Sequence, residues 1–249
     1  GQGKDGKGHV VVKFSPDGKV LMTLGKPGVA GATHDTFNAP SDVLIAPNGD
    51  IFVADGHANG TNERIVKFDK TGKYIKEWGH PGSGPGAFST THEIEIDARG
   101  RVFVAETYRY RSSTLDIRDY MQILEDELAN RNQADFLAMI NRRFDAASVK
   151  ELGLESEILR LVEDRNHDGV ADFSTVYADG FNSQLDGIAS GALARRGQVW
   201  FTNIPSLWQF TGEEKAVTRK EISRGYGLRF NFTGHDLHGL AFGPDGKIY

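Results

Sequence analysis

The stretch PSDVLIAPNGDIFVAD, residues 40–55, decides the fold, because related stretches return further along the chain. Residues 91–106 read THEIEIDARGRVFVAE, and residues 237–249 read LHGLAFGPDGKIY, with Gly246 at the place of Gly49. In each copy, short runs rich in Val, Ile and Phe flank a glycine that permits the positive φ of a tight turn. Each copy therefore predicts a β-hairpin.

A second repeated unit supplies further strands. VVKFSPDGKVLMTLGKPG, residues 11–28, recurs as IVKFDKTGKYIKEWGHPG, residues 65–82, and a looser copy of the first unit covers residues 185–202. Hairpins at a pitch near 50 residues are typical of four-stranded blades, and a lone blade cannot bury both of its faces. The sequence therefore predicts an all-β fold, a β-propeller forming a single domain over residues 1–249.

The number of blades stays open between two arrangements. If the segment 10–24 pairs with the segment 239–249, the chain closes a ring of four blades and leaves no strand edge exposed. Otherwise the chain is a slice of a six- or seven-bladed ring. Residues 107–155 break the β pattern and show apolar residues at helical spacing, as at Phe136 and Ile140. They are predicted to be a helical insertion within one blade, packed against the propeller.

Composition excludes several classes of function. The 249 residues include 29 Lys and Arg against 34 Asp and Glu, a net charge of −5, which argues against a nucleic-acid binder. No apolar run is long enough to span a membrane. The absence of cysteine excludes disulfides, thiolate catalysis and haem attachment within the chain. Because the sequence begins at Gly1 rather than Met, we interpret it as a trimmed product or a fragment.

One acidic loop has the ligand spacing of a calcium site. Oxygen-bearing side chains at alternate positions, followed by a glycine that allows a sharp turn, wrap a cation of calcium size. The candidate ligands are Asp164, Asn166, Asp168 and Asp172. The glutamate that an EF-hand places at position 12 is missing, so a shorter, structural calcium loop is predicted. The alternative is an acidic hairpin turn that binds no ion.

A second candidate site emerges when the blades are aligned on their hairpin glycines. Ser41, His92, Asp186 and His238 then fall at or near one position, immediately before each innermost strand. Such strands line the central channel of a propeller, so these side chains would converge at one mouth. Two imidazoles and a carboxylate suit Zn²⁺ or Fe²⁺. The alternative is that they are turn residues that cap neighbouring strands.

His235 and Asp236 lie just before His238 and could serve as a general base with an adjacent carboxylate. The alternative for this pair is a loop held by hydrogen bonds. His57, in the sequence ADGHANG, is predicted to lie in a surface turn.

The N-terminal motifs FNAPSDVLIAPNGDIFVADG, RIVKFDKTGKYIKEWG and HEIEIDARGRVFVAE carry a family resemblance over residues 1–106. This part resembles NHL-repeat propellers, especially bacterial relatives of peptidyl-α-hydroxyglycine α-amidating lyase. The resemblance implies a channel Zn²⁺ with His92 as a ligand. The family's catalytic tyrosine follows an Asp-Gly pair, and His57 stands at that position in this chain.

From about residue 111 onward, the stretches ILRLVEDRNHDGVADFSTVYADGF and SRGYGLRFNFTGHDLHGLAFGPDGKIY resemble a different group. These are secreted dehydrogenase-like propellers, which often carry a separate haem domain, and soluble quinoprotein sugar dehydrogenases. The resemblance implies pyrroloquinoline quinone as cofactor, His235 as the base toward a sugar hydroxyl, and a haem domain in a longer parent protein. The cofactor contacts that these enzymes place downstream, and their second Asp-rich loop, are missing from this chain.

Three functional hypotheses remain, in this order. The first is a quinoprotein-like dehydrogenase that oxidises a sugar or alcohol, and the second is a metal-dependent lyase of the amidating type. The third is a non-catalytic scaffold that binds a protein or glycan. The resemblance and the calcium loop together predict a periplasmic or extracellular location, because millimolar calcium outside the cell suits a weak site.

Overall fold

A computed structural model of the chain describes residues 6–57, 60–82, 84, 86–108, 123–166, 168, 171–226 and 237–249. The chain divides into two compact units. Gly1–Val104 and Leu161–Thr175 form the first, and Ala105–Arg160 and Val176–Tyr249 form the second.

The first unit begins with two antiparallel sheets. Strands β1 (Val11–Phe14) and β2 (Val20–Leu24) form a two-stranded sheet. The next four strands pair in chain order as an antiparallel sheet, and they are β3 (Pro40–Ile45), β4 (Ile51–Asp55), β5 (Arg64–Phe68) and β6 (Tyr74–Trp78). This is the strand grouping predicted from the repeats.

Strand β4 shows why this sheet lies inside the unit. All five of its residues are buried, and alternate side chains join two different cores. Val53 packs with Phe37 and Leu24, whereas Phe52 packs with Phe88 and Ile94. A strand that is apolar on both faces is stable only when both faces are covered.

The third sheet has the order β10-β9-β8-β7. Its strands are β7 (Thr91–Ile96), β8 (Val102–Glu106), β9 (Glu157–Glu163) and β10 (Phe173–Phe181). Between β8 and β9 lie the helices α1 (Leu124–Leu128), α2 (Gln133–Arg143) and α3 (Ala146–Glu151). Asp145 caps α3 by accepting a hydrogen bond from the Ser148 N–H at 2.8 Å.

The fourth sheet belongs to the second unit and also pairs in chain order. Its strands are β11 (Ala189–Arg195), β12 (Gln198–Asn203), β13 (Ser206–Thr211) and β14 (Thr218–Arg224). Arg196 and Gly197 both have positive φ, 54° and 75°, which is the tight hairpin turn predicted at this glycine. The described chain is thus all-β apart from three short helices, with three four-stranded antiparallel sheets of the predicted kind. Among its described residues, none of its helices is both long and apolar enough to cross a bilayer.

Candidate metal site

Two histidines meet in the first unit. His57 lies two residues beyond the end of β4, and His92 is the second residue of β7. Their ring centroids are 4.4 Å apart and the rings are nearly perpendicular, at 88°. The His92 side chain is almost fully buried and His57 is half-buried. The sequence predicted a surface turn for His57, and the structure adds that its half-buried side chain contacts the ring of His92.

The segments that carry the two histidines are joined by hydrogen bonds. The Thr91 hydroxyl donates to the Gly56 carbonyl at 2.8 Å, and the Thr91 N–H donates to the Glu63 carboxylate at 3.2 Å. Gly56 has a φ of 148°, and a Cβ there would come within 2.4 Å of the Glu63 nitrogen. Only glycine fits at this close approach, which sets His57 beside the start of β7.

A buried ion pair holds the end of β4. The Asp55 carboxylate is fully buried and accepts hydrogen bonds from Arg64 Nε at 3.0 Å, Asn62 Nδ2 at 2.7 Å and the Asn38 N–H at 2.7 Å. Arg64 also donates to the Thr36 carbonyl at 2.8 Å. Because both charges are paired and hydrogen-bonded, the backbone just before His57 has one well-defined position.

The chemistry of this pair suits a borderline metal. Neutral imidazole nitrogens bind Zn²⁺ and Fe²⁺, and a catalytic zinc uses three protein ligands with a fourth position for water or substrate. His57 and His92 would supply two of these ligands. The described ranges bring no group of three or more His, Asp or Glu side chains together in a way that could hold a metal ion.

Asp186 and His238 belong to the second unit, whereas His92 belongs to the first. Asp186 lies three residues before β11, in a turn where its carboxylate accepts a hydrogen bond from the Ser183 N–H at 2.9 Å. By position in the strand, the residue of β11 that corresponds to His92 is Ser190 rather than Asp186, since both are second in their strands. His238 is exposed.

The predicted calcium loop connects β9 to β10. The Asn166 side-chain carbonyl accepts a hydrogen bond from the Asp168 N–H at 2.9 Å, and the Asp172 carboxylate accepts one from the Arg165 N–H at 2.7 Å. Asp164 is half-buried and also lines a cleft of the first unit. Calcium binding by this loop stays a prediction.

His235 and Asp236, the predicted base and its neighbour, lie outside the described residues. The roles assigned to them therefore stay predictions.

A third group of interacting side chains was not expected from the sequence. The Tyr108 hydroxyl donates to the Glu106 carboxylate at 3.1 Å and accepts from Arg160 Nη2 at 3.3 Å, and Arg160 also pairs directly with Glu106. Burial, followed by the Glu106 charge, raises the pKa of Tyr108 to about 12. The sequence signal was available, because Tyr108 stands 51 residues after His57, at the offset of the hairpin repeat.

The comparisons with known proteins first define the class. The profile of a 6-bladed β-propeller family matches residues 33–138. Together with the three four-stranded sheets, this identifies the fold as a β-propeller built of four-stranded blades, with NHL-repeat and amidating-lyase-like relatives. A second profile, that of a domain of unknown function (DUF7133), matches residues 89–249, which is more than half of the chain. The chain belongs to this family.

Three relatives illustrate the resemblance. Human NHL repeat-containing protein 3 is 32% identical over 111 residues, covering 44% of this chain and 32% of the relative. Mouse peptidyl-glycine alpha-amidating monooxygenase is 38% identical over 95 residues, or 35% of this chain and 9% of the relative. Peptidyl-alpha-hydroxyglycine alpha-amidating lyase 1 of Drosophila melanogaster is 42% identical over 74 residues, which cover 28% of this chain and 13% of the relative. The chain thus spans a third or less of each relative's length.

Proposed function

We propose that this chain is part of a metal-dependent propeller enzyme, in which His57 and His92 hold a Zn²⁺ or Fe²⁺ ion. The observation that carries the proposal is the 4.4 Å approach of the two rings at the end of β4 and the start of β7. The buried His92 and the half-buried His57 meet edge to face, beside a backbone held by hydrogen bonds to Asp55 and Glu63, and would form a preorganised pair of ligands.

We further propose that the reaction is of the amidating-lyase type. Support comes from the relatives named as amidating lyases and monooxygenases, and from the resemblance that made His92 a ligand candidate. When bound, the metal would supply Lewis-acid polarisation of a substrate oxygen. His57 replaces the family's tyrosine, so in this chain that position would contribute a metal ligand rather than a phenol.

Metal analysis of the purified chain tests the site. We expect about one equivalent of zinc or iron in the unaltered chain. His57→Ala and His92→Ala should each lose it, because a site with one imidazole fewer binds much more weakly. His80→Ala is the matched control, since His80 is an exposed histidine of the same unit. No bound transition metal, or retention of the metal in both site variants, would overturn the proposal.

His238→Ala and Asp186→Asn extend this test to the ligands predicted from the sequence. Loss of metal in either variant would support the predicted role of that residue as a ligand. If metal binding is unchanged in both, the predicted roles of Asp186 and His238 are wrong, while the pair formed by His57 and His92 stands.

The dehydrogenase-like hypothesis is our second proposal. The acidic loop supports it, because the side-chain oxygens of Asn166 and Asp172 accept hydrogen bonds from backbone N–H groups of the loop and are of the type that binds calcium. We expect Asp168→Asn to abolish binding of ⁴⁵Ca²⁺ in equilibrium dialysis, and Asp179→Asn, an exposed acidic residue outside the loop, to leave it intact. Saturable binding of pyrroloquinoline quinone, lost in His235→Ala, would support the redox chemistry. Absence of such binding would count against it.

The extracytoplasmic location is proposed on the same grounds, and fractionation of cells that express the full-length gene tests it. Recovery with periplasmic or secreted proteins is expected, and recovery with the cytosol would contradict it.

A further inference from the structure

Glu63 is a buried acid in an unusual backbone conformation. It lies just before β5, is 1% exposed, and has a φ of 49°, in the left-handed region. Few residues other than glycine and asparagine adopt this region, and burying a carboxylate is unfavourable unless it is hydrogen-bonded. A side chain that combines both unfavourable features points to a defined role at that position.

The Glu63 carboxylate connects the two segments that carry the histidine pair. It accepts a hydrogen bond from the Thr91 N–H at 3.2 Å, and Thr91 immediately precedes His92. A Cβ on Gly56 would come within 3.1 Å of the carboxyl carbon of Glu63, so the carboxyl group lies beside the residue that precedes His57. One side chain therefore contacts the backbone next to each histidine.

The second unit contains a similar hydrogen bond. Glu157, the fully buried first residue of β9, accepts from the N–H of Ala189, the first residue of β11, at 3.0 Å. Thr91 is likewise the first residue of β7. In both units, an acid at the start of the third strand of one sheet holds the first N–H of the sheet that follows. This hydrogen bond therefore fixes where a first strand begins.

The two acids differ in what they hold in place. The second residue of β7 is His92, whereas the second residue of β11 is Ser190. Glu157 reaches its N–H from within a strand, whereas Glu63 does so from the left-handed residue before one. The second unit thus offers the same hydrogen bond without an imidazole beside it, and Glu157 is a matched control for Glu63.

We propose that Glu63 is a positioning residue for the histidine pair. Its oxygen would hold the Thr91 N–H so that the His92 ring stays against the ring of His57. Groups that orient metal ligands without touching the metal typically change metal affinity by about 10–100-fold. The consequence for metal affinity rests on the proposed function, whereas the effect on the contact between the two rings does not.

Two substitutions separate the reach of the side chain from its charge. Glu63→Gln keeps the length and an acceptor oxygen, and Glu63→Asp keeps the charge but withdraws the carboxylate by one methylene group. The readout is the nuclear Overhauser cross-peak between the ring protons of the two histidines in the metal-free chain. It is assigned by its loss in His57→Ala and in His92→Ala. We expect the cross-peak in the unaltered chain and in Glu63→Gln, and its loss in Glu63→Asp.

Zinc affinity, measured by competition with a chelating dye, gives the second readout. Glu63→Asp should bind zinc about 10–100-fold more weakly than the unaltered chain, and Glu63→Gln should bind it as the unaltered chain does. Glu157→Asp makes the same shortening in the second unit. It should lower the thermal midpoint of unfolding, as Glu63→Asp does, but leave the cross-peak and the zinc affinity unchanged.

Three results would overturn the proposal. One is that Glu63→Asp keeps the cross-peak. Another is that Glu63→Gln loses it, which would mean that the charge of Glu63, and not its reach, maintains the contact. The third is that Glu157→Asp also loses it, which would make the loss a general effect of lower stability. Failure of the unaltered chain to bind zinc would instead contradict the proposed metal site, and the cross-peak would still decide the role of Glu63.

Discussion

The ends of strands β4 and β8 each carry a buried pair of an acid and an arginine, but their surroundings differ. At the end of β4, the buried Asp55 pairs with Arg64 on β5. At the end of β8, the buried Glu106 pairs with Arg160 on β9. Asp55 and Glu106 stand 51 residues apart, at the offset of the hairpin repeat. In both places a buried acid on the second strand is held by an arginine on the third.

The difference lies in the residue two positions beyond the acid. Tyr108 hydrogen-bonds to both members of its ion pair and so completes a closed group of three side chains. His57, at the corresponding position, instead contacts the ring of His92. Asp55 and Arg64 are satisfied by other partners, among them Asn62, the Asn38 N–H and the Thr36 carbonyl. The two repeats therefore share the buried ion pair and differ in the contacts of the residue that follows it.

The largest effect is expected from removing the arginine of either pair. Arg64→Met keeps most of the side-chain volume but leaves the Asp55 carboxylate buried without its cation, which should lower the free energy of unfolding by about 3–5 kcal/mol. Arg160→Met should lower the free energy of unfolding by less, about 3 kcal/mol. The loss is larger for Arg64 because Arg64 also donates hydrogen bonds to the carbonyls of Thr33 and Thr36. Urea denaturation followed by circular dichroism measures both. A larger loss in Arg160→Met would contradict the idea that the first pair is the more extensively connected.

In the fourth sheet, the second strand ends in the uncharged Asn203 instead of an acid. We expect substitution of this residue to give the next largest change in the free energy of unfolding. Asn203 ends β12, is fully buried, and donates to the Gly187 carbonyl at 3.0 Å. Ser206, and not an arginine, begins β13. Asn203→Asp therefore buries a carboxylate that has no arginine opposite it at the start of β13. We expect this substitution to lower the free energy of unfolding by about 2–4 kcal/mol at neutral pH.

The pH dependence of Asn203→Asp separates a charge effect from a packing effect. Burial raises the pKa of such a carboxyl above its value in the unfolded chain. The decrease in the free energy of unfolding should therefore be present at neutral pH, and it should become smaller as the pH falls and the carboxyl takes up its proton. A loss of stability that is independent of pH would mean that packing, and not charge, distinguishes this strand end from that of β4.

Comparison of the sequence with the structure shows which features local patterns can predict. The hairpins were predictable because a glycine with positive φ marks each turn, as at Gly49 and Gly100, with φ of 91° and 84°. The contact between His57 and His92 was not predictable from the sequence, because the segments that carry them are joined by a hydrogen bond between Thr91 and Gly56, which lie 35 residues apart. Both histidines were visible in the sequence, but only His92 has the repeat position that marked it as a candidate.

The alignment of Asp186 with His92 shows a second limit. His92 stands eight residues before Gly100, whereas Asp186 stands eleven residues before Gly197, so aligning the two assumes three extra residues within the first strand of that hairpin. The extra residues lie ahead of the strand instead, because β11 begins at Ala189, eight residues before Gly197. A single sequence does not show on which side of the strand start such residues fall.

Tyr108 gives a smaller effect that sharpens the comparison with His57. Its pKa is raised to about 12, so the phenol stays neutral in the folded chain at a pH where the unfolded chain ionises it, near 10. The stability contributed by neutral Tyr108 should be complete below about pH 10 and be lost as the pH rises toward about 12. In ultraviolet titration of the seven tyrosines, an ionisation near pH 12 should disappear in Tyr108→Phe. If it persists, the phenol is not held by Glu106 and Arg160.

The smallest effect is expected where an ion pair lies on the surface, and this sets the scale for the buried ones. Arg131 and Asp135 are 3.3 Å apart at the start of α2, but the Arg131 side chain is 85% exposed. Water and salt screen such a pair, and holding two long side chains together costs entropy. Arg131→Ala should therefore leave the midpoint of urea denaturation unchanged within error, at low and at high salt. A shift of the denaturation midpoint at low salt that disappears at high salt would show that this exposed ion pair also stabilises the fold. Such a result would contradict the expected difference between buried and exposed pairs.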